Sequence, residues 1–173
     1  MRLNVIACVA LLNLATSIAW ANEVIITKAM MNAAVVGEGR LSVAFWDVYD
    51  ARLYAPDGKW EPSKTFALSI HYLRAIDGKD IADRSVQEMR AQGFSDEVKL
   101  AAWNAQMKKI FPNVKNGSVI SAVFIPGQKT TFYNDKQPIG VIKGAEFTQR
   151  FFDIWLSEKT SEPYLRKQLL GLL

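Results

Sequence analysis

The chain has 173 residues, 22% of them charged, and a formal net charge of +4. It has one cysteine, Cys8, and one histidine, His71. That leaves no pair of cysteines for an intrachain disulfide and too few soft ligands for an ordinary zinc site. Basic residues are interspersed with acids, the densest pairs being Lys108-Lys109 and Arg166-Lys167. No basic stripe with interleaved aromatics marks a nucleic-acid surface.

The amino terminus reads as a secretory leader. Arg2 is the only charge before Glu23, an apolar run from Val5 to Leu14 follows, and Ala19-Trp20-Ala21 supplies an A-x-A-like cleavage site. The run is shorter than the roughly 20 apolar residues of a spanning helix. Cleavage removes Cys8 and predicts a periplasmic or secreted domain over residues 22–173, with no stable membrane span and expected as a monomer.

Without repeats or linkers, that remainder is read as one domain. Arg40 to Tyr54 is rich in Val, Phe, Trp and Tyr, which suit strands. Asp57-Gly58 marks a turn. Phe66 to Leu73 alternates, with Phe66, Leu68, Ile70 and Tyr72 on one face and Ala67, Ser69 and His71 on the other. Helical spacing of Ala82, Val86 and Met89 predicts a helix from about Lys79 to Gln92, ended by Gly93. Ser95 is the expected N-cap of a second helix, with Leu100, Trp103, Met107 and Ile110 as its apolar stripe and Phe111-Pro112 as its end. Val119–Ile125, Thr130–Tyr133 and Ile139–Ile142 read as a β-meander turned at Pro126-Gly127 and Asn134-Asp135. A buried helix with Phe147, Phe151, Ile154 and Trp155 follows Gly144. A last helix is expected to be capped by Ser161, with Pro163 in its first turn. Strands with segregated helices indicate an α+β domain, helices lying on one face of the sheet.

Chemistry-bearing motifs are few. His71 shares a strand face with Ser69, and a lone strand histidine reads as a surface or hydrogen-bonded residue rather than part of a triad. Asp80 and Asp83 fit a solvated helix face. Gly37-Glu38-Gly39 lacks the third glycine of a dinucleotide fingerprint, since Ser42 stands there, and no βαβ unit surrounds it. No cofactor is expected.

The order of several segments resembles one family. Gly37-Glu38-Gly39-Arg40 followed by Val48-Tyr49-Asp50-Ala51-Arg52-Leu53-Tyr54 is similar to the opening strands of chalcone-isomerase-like proteins. Tyr72 through Gly78, Ser85, Glu88-Met89 and Gly93 resembles their first helical region. Phe111 to Gly117 resembles the loop into their late strands, and Phe147, Phe151 to Leu156 and Leu165 to Gly171 their closing helices. The series spans about residues 33–171 and is most similar to an exported bacterial branch. The resemblance implies an open-faced β-sandwich, a large antiparallel sheet with helices over it and a cleft between.

Active plant members of that family close a chalcone to a flavanone by adding a phenolate to an enone. An arginine pairs with anionic oxygen, and a threonine and a tyrosine polarise the ketone. Another branch holds a fatty-acid carboxylate with an arginine and a tyrosine. By this resemblance Arg40 stands at the arginine position, where a guanidinium suits a carboxylate. Tyr49 replaces the catalytic threonine, as in the fatty-acid-binding branch. Ile81 aligns with the catalytic tyrosine, Glu88 with the asparagine and Asp153 with the second hydroxyl residue. Ile81 has no donor for a developing enolate, a loss of about 3–4 kcal/mol where such a donor operates. The acids at Glu88 and Asp153 repel an anionic chalcone unless paired or protonated.

The sequence therefore favours a non-catalytic binder of a small amphipathic anion, a fatty acid first. Arg40 and Tyr49 would hold the head, and Trp103, Met107 and Phe147 would enclose the tail. An isomerase acting on a chalcone-like ketone is the alternative, and a ligand-free interaction module a third reading. One geometric demand stands out. Nine residues of straight strand separate two side chains by about 30 Å and put them on opposite faces, so the Arg40–Tyr49 site needs a turn or bulge between them.

Overall fold

The computed structural model describes residues 23–173; the expected leader, its cleavage site and Cys8 lie outside the described residues. Helix α1 (Glu23–Ala29) leads into the hairpin of β1 (Ala33–Val43) and β2 (Trp46–Pro56), then β3 (Phe66–Tyr72). Helices α2 (Gly78–Ala91) and α3 (Glu97–Ile110) follow, then β4 (Val119–Ile125), β5 (Lys129–Asn134) and β6 (Gln137–Lys143), and α4 (Ala145–Leu156) and α5 (Pro163–Leu169) close the chain. All six strands form one antiparallel sheet in chain order, each paired with its sequence neighbours. This is the α+β open-faced arrangement expected from the sequence.

Strand alternation sorts the side chains. Ala51, Leu53 and Ala55 of β2, Phe66, Leu68, Ile70 and Tyr72 of β3, and Ile120, Ala122 and Phe124 of β4 enter the main core, where helices α2 to α5 cover them. Phe66 stacks on Phe124 with centroids 4.4 Å apart, and Phe152 of α4 meets both edge-on. The opposite face is polar over much of its area, where Ser69 and Ser121 hydrogen-bond across strands at 2.7 Å. Helix α1 packs on that second face, burying Ile26 and Met30 against Tyr54, Ala67 and Val123.

Two caps differ from expectation. Asp96, not Ser95, caps α3, its carboxylate accepting from the Lys99 amide at 3.0 Å. Asp96 sits directly before the first helical residue, so its side chain is the one in reach of the free amides. Glu162, not Ser161, occupies the N-cap of α5. The Ser161 hydroxyl instead donates to Glu88 at 2.8 Å.

Gly37 and Gly39, the pair that imitates a nucleotide motif, have a packing role. Helix α5 lies so close to β1 that a Cβ on Gly37 would meet the Gln168 carbonyl oxygen, and one on Gly39 the Gln168 side chain and Leu165. Gly37→Ala is therefore expected to lower unfolding stability by about 1–3 kcal/mol through overpacking, read from the urea midpoint. An unchanged midpoint would mean that α5 is not held this closely against β1.

Candidate functional site

Between the sheet and the helices lies a cavity of about 350 Å³. Its walls are apolar: Leu68, Ile70, Ile120 and Ala122 from the sheet, Phe151, Ile154 and Trp155 from α4, Ile81 from α2, with Phe111 and Phe132 at the far side. The polar groups come from Tyr49 and Tyr72 on the sheet, from Asp80, Arg84, Ser85 and Glu88 on α2, and from Ser161 and Glu162 before α5. A mostly apolar enclosure with a few convergent polar groups is the form of a small-molecule site.

Strand alternation turns Tyr49 inward with Ala51, Leu53 and Ala55, and the hairpin adds a neighbour to it. The chain reverses between β1 and β2 at Ala44-Phe45, with Ala44 at φ 55°, so a turn exists where no glycine, proline or asparagine announces it. Leu41 pairs with Tyr49 and Ser42 with Asp47, which leaves Val48 unopposed in a bulge. The extra residue re-aims the strand, and the adjacent residues Val48 and Tyr49 both line the cavity.

Arg40 goes the other way. It pairs across the strands with Asp50, while its neighbour Leu41 pairs with Tyr49; adjacent strand residues face opposite sides of a sheet. Its Nε donates to Asp50 Oδ1 at 2.6 Å and its Nη1 to Asp47 Oδ2 at 2.7 Å. Ser42 completes this surface cluster by donating to Asp47 at 2.6 Å. The Arg40 side chain is 49% exposed and does not border the cavity. Asp153 is not among the lining residues either; it accepts from Gln149 at 2.8 Å. Burial pushes its carboxyl up, opposed by that hydrogen bond and by Arg150. Trp103, Met107 and Phe147 are core residues rather than cavity walls, with Phe147 ring-stacked on Phe151. Of the five expected site residues, Tyr49, Ile81 and Glu88 are brought together and Arg40 and Asp153 stand apart.

The arginine that lines the cavity is Arg84, which sequence reasoning missed; its side chain is 67% exposed, so it stands at the solvent rim. It forms an ion pair with Glu88 four residues along α2, and Ile81 lies three residues before it. That i−3, i, i+4 spacing places all three on one helix face and was the available signal. Glu88 is buried, and between Arg84 and Ser161 its carboxylate has partners on both oxygens. Such pairing offsets the cost of burying it. Tyr49 accepts from the Trp155 indole at 2.9 Å, and its own phenolic proton has no acceptor among the described residues. That proton is available to a guest.

Among the described residues no group of three or more His, Cys, Asp or Glu is placed to hold a metal ion. Likewise, no helix among them is long and apolar enough to cross a membrane.

Burial pushes the Tyr49 and Tyr72 phenols above their ordinary value, with Glu162 and Glu88 adding to the effect at Tyr49 and Tyr49 adding to it at Tyr72. The folded state thus resists ionising them, while unfolded tyrosines ionise near pH 10. Their contribution to stability is fully present below about pH 10 and is lost as pH rises beyond it. The urea midpoint should fall between pH 9 and 11, and fall less in a Tyr49→Phe, Tyr72→Phe variant. Equal slopes for both proteins would refute the burial of these hydroxyls.

Comparison with known proteins agrees with the geometry. No curated protein matches the chain. Among solved structures, a fatty-acid binding protein of Arabidopsis thaliana is similar in fold, with a TM-score of 0.62 at 13% identity, covering 81% of this chain and 87% of its own. The family model described as chalcone isomerase-like matches residues 29–171. With that match running from the end of α1 to the end of the last helix, the chain belongs to the chalcone isomerase-like family.

Proposed function

We propose that this protein is a non-catalytic binder of a small amphipathic acid, with a fatty acid the first ligand to test. The observation that carries the reading is the apolar cavity, whose polar groups are gathered around Tyr49, Arg84 and Glu88. The alkyl chain would lie among Ile70, Ile120, Phe132, Phe151 and Ile154. The acid head would accept the free Tyr49 proton and share the Arg84 guanidinium with Glu88. Arg40 has no part in this arrangement, because Asp47 and Asp50 already engage it on the other face. The fold likeness to a fatty-acid binding protein supports the same ligand class.

The isomerase reading gains nothing from the site. Ile81 lines the cavity where a donor to an enolate is wanted, and it offers none. The leader-like residues 1–21 support work in the periplasm or outside the cell, in keeping with the exported bacterial branch of the family.

Native mass spectrometry of protein purified from its expressing cells is expected to reveal a co-purified acid. Titration with a fluorescent fatty acid should give saturable binding, weakened about fivefold by Tyr49→Phe through loss of one hydrogen bond. Arg84→Gln should weaken the acid more than the corresponding alcohol, and Ile154→Trp, which fills the cavity, should abolish both. Arg40→Ala should leave binding unchanged. Loss of binding in Arg40→Ala with retention in Arg84→Gln would overturn the placement of the head group.

A further inference from the structure

Beside the cavity, the β1–β2 hairpin ends in an apolar tip. Phe45 is 99% exposed, Trp46 65% and Val43 56%, so three large apolar side chains stand together in water at the end of a two-stranded arm. Scattered exposed apolar residues are ordinary, but a cluster at a projecting tip is not. The tip is continuous with the interior: Val43 belongs to it and also lines the cavity, as do Val48 and Leu41 behind it. Arg74 places its guanidinium 5.5 Å from the Trp46 ring centroid. It has no carboxylate partner among the described residues, although Asp77 and Asp80 border the same shallow recess. The Arg40–Asp47–Asp50 cluster at the base of the arm sets two carboxylates against one guanidinium and so carries one net negative charge.

From this we infer that the hairpin tip docks on a phospholipid bilayer, setting the cavity beside the acyl region from which an apolar guest is drawn. An indole with a cation at its face and neighbouring Phe and Val is the chemistry of the membrane interface, where aromatic rings sit at headgroup level and arginine meets phosphate. An apolar ligand leaving a membrane otherwise crosses water. A tip continuous with the cavity wall removes that step. The identity of the transferred guest rests on the fatty-acid reading above, whereas the docking surface stands on the exposed tip.

The test uses the purified protein and its variants in one and the same N-terminal form, so that any leader is common to all. Flotation with vesicles of phosphatidylglycerol and phosphatidylcholine should recover the wild type. A Phe45→Ser, Trp46→Ser variant should bind these vesicles about tenfold or more weakly, having lost its apolar anchor. Arg74→Glu should lose affinity for the anionic vesicles but little for pure phosphatidylcholine. Fatty-acid affinity in solution should be the same in all three, while transfer of a labelled fatty acid from vesicle to protein slows in the tip variants. Equal vesicle recovery of wild type and the Phe45, Trp46 variant overturns the proposal, as does a tip-dependent dimer seen by sedimentation without vesicles. Vesicle binding without fatty-acid binding would sink the ligand reading and leave the docking surface standing. Fatty-acid binding without vesicle binding does the reverse.

Discussion

The arrangement of the β1–β2 hairpin depends on one extra residue. Val48 has no partner across the hairpin, and the slip it introduces lets two successive side chains, Val48 and Tyr49, line the same cavity. The same slip brings Asp47 and Asp50, three residues apart, to one face around Arg40. In a regular strand these two acids would point in opposite directions. One bulge therefore builds a compact ionic cluster on the solvent side and adds Val48 to the inner wall beside Tyr49, which strand alternation already turns inward with Ala51 and Leu53.

Two arginines consequently lead different lives. Arg40, on the edge hairpin, meets two carboxylates in an exposed setting where ion pairs contribute little to stability. Arg84 is itself exposed, but its one carboxylate partner, Glu88, is buried and is also tied to Ser161 from the opposite rim. The Arg84–Glu88–Ser161 chain links α2 to the segment before α5 across the cavity's polar end. A guest acid there would enter an existing hydrogen-bonded set rather than face an isolated cation.

Much of the fold was legible in the sequence because its signals are local. The period-two pattern of Phe66 to Tyr72 gives the correct inward face, and Gly93 and Gly144 mark helix boundaries at φ 96° and 110°. The serine caps failed for a competing reason. Asp96 is nearer the first turn than Ser95, and the Ser161 hydroxyl is claimed by a residue 73 positions away. The site was half legible. Tyr49, Ile81 and Glu88, singled out by the order of family-like segments, do border the cavity, but the face of Arg40 depends on strand parity and register, which no composition pattern reveals. Arg84 was within reach from helical spacing alone. Trp103, Met107 and Phe147 are apolar like cavity walls, and only packing distinguishes a ring that meets other rings from one that borders empty space.

A sheet whose strands all pair with their neighbours in the chain also carries a kinetic signature. The β1–β2, β4–β5 and β5–β6 hairpins each close over a few residues, so their loop-closure cost is small. The β3–β4 seam is different, since α2 and α3 lie between its two strands. Joining those strands is the long-range step in an otherwise local assembly, and folding rates are governed by such steps. The two halves of the sheet are thus expected to organise separately and to meet last along Phe66–Phe124 and Ser69–Ser121, where aromatic stacking and a buried hydroxyl pair fix the register at which they lock.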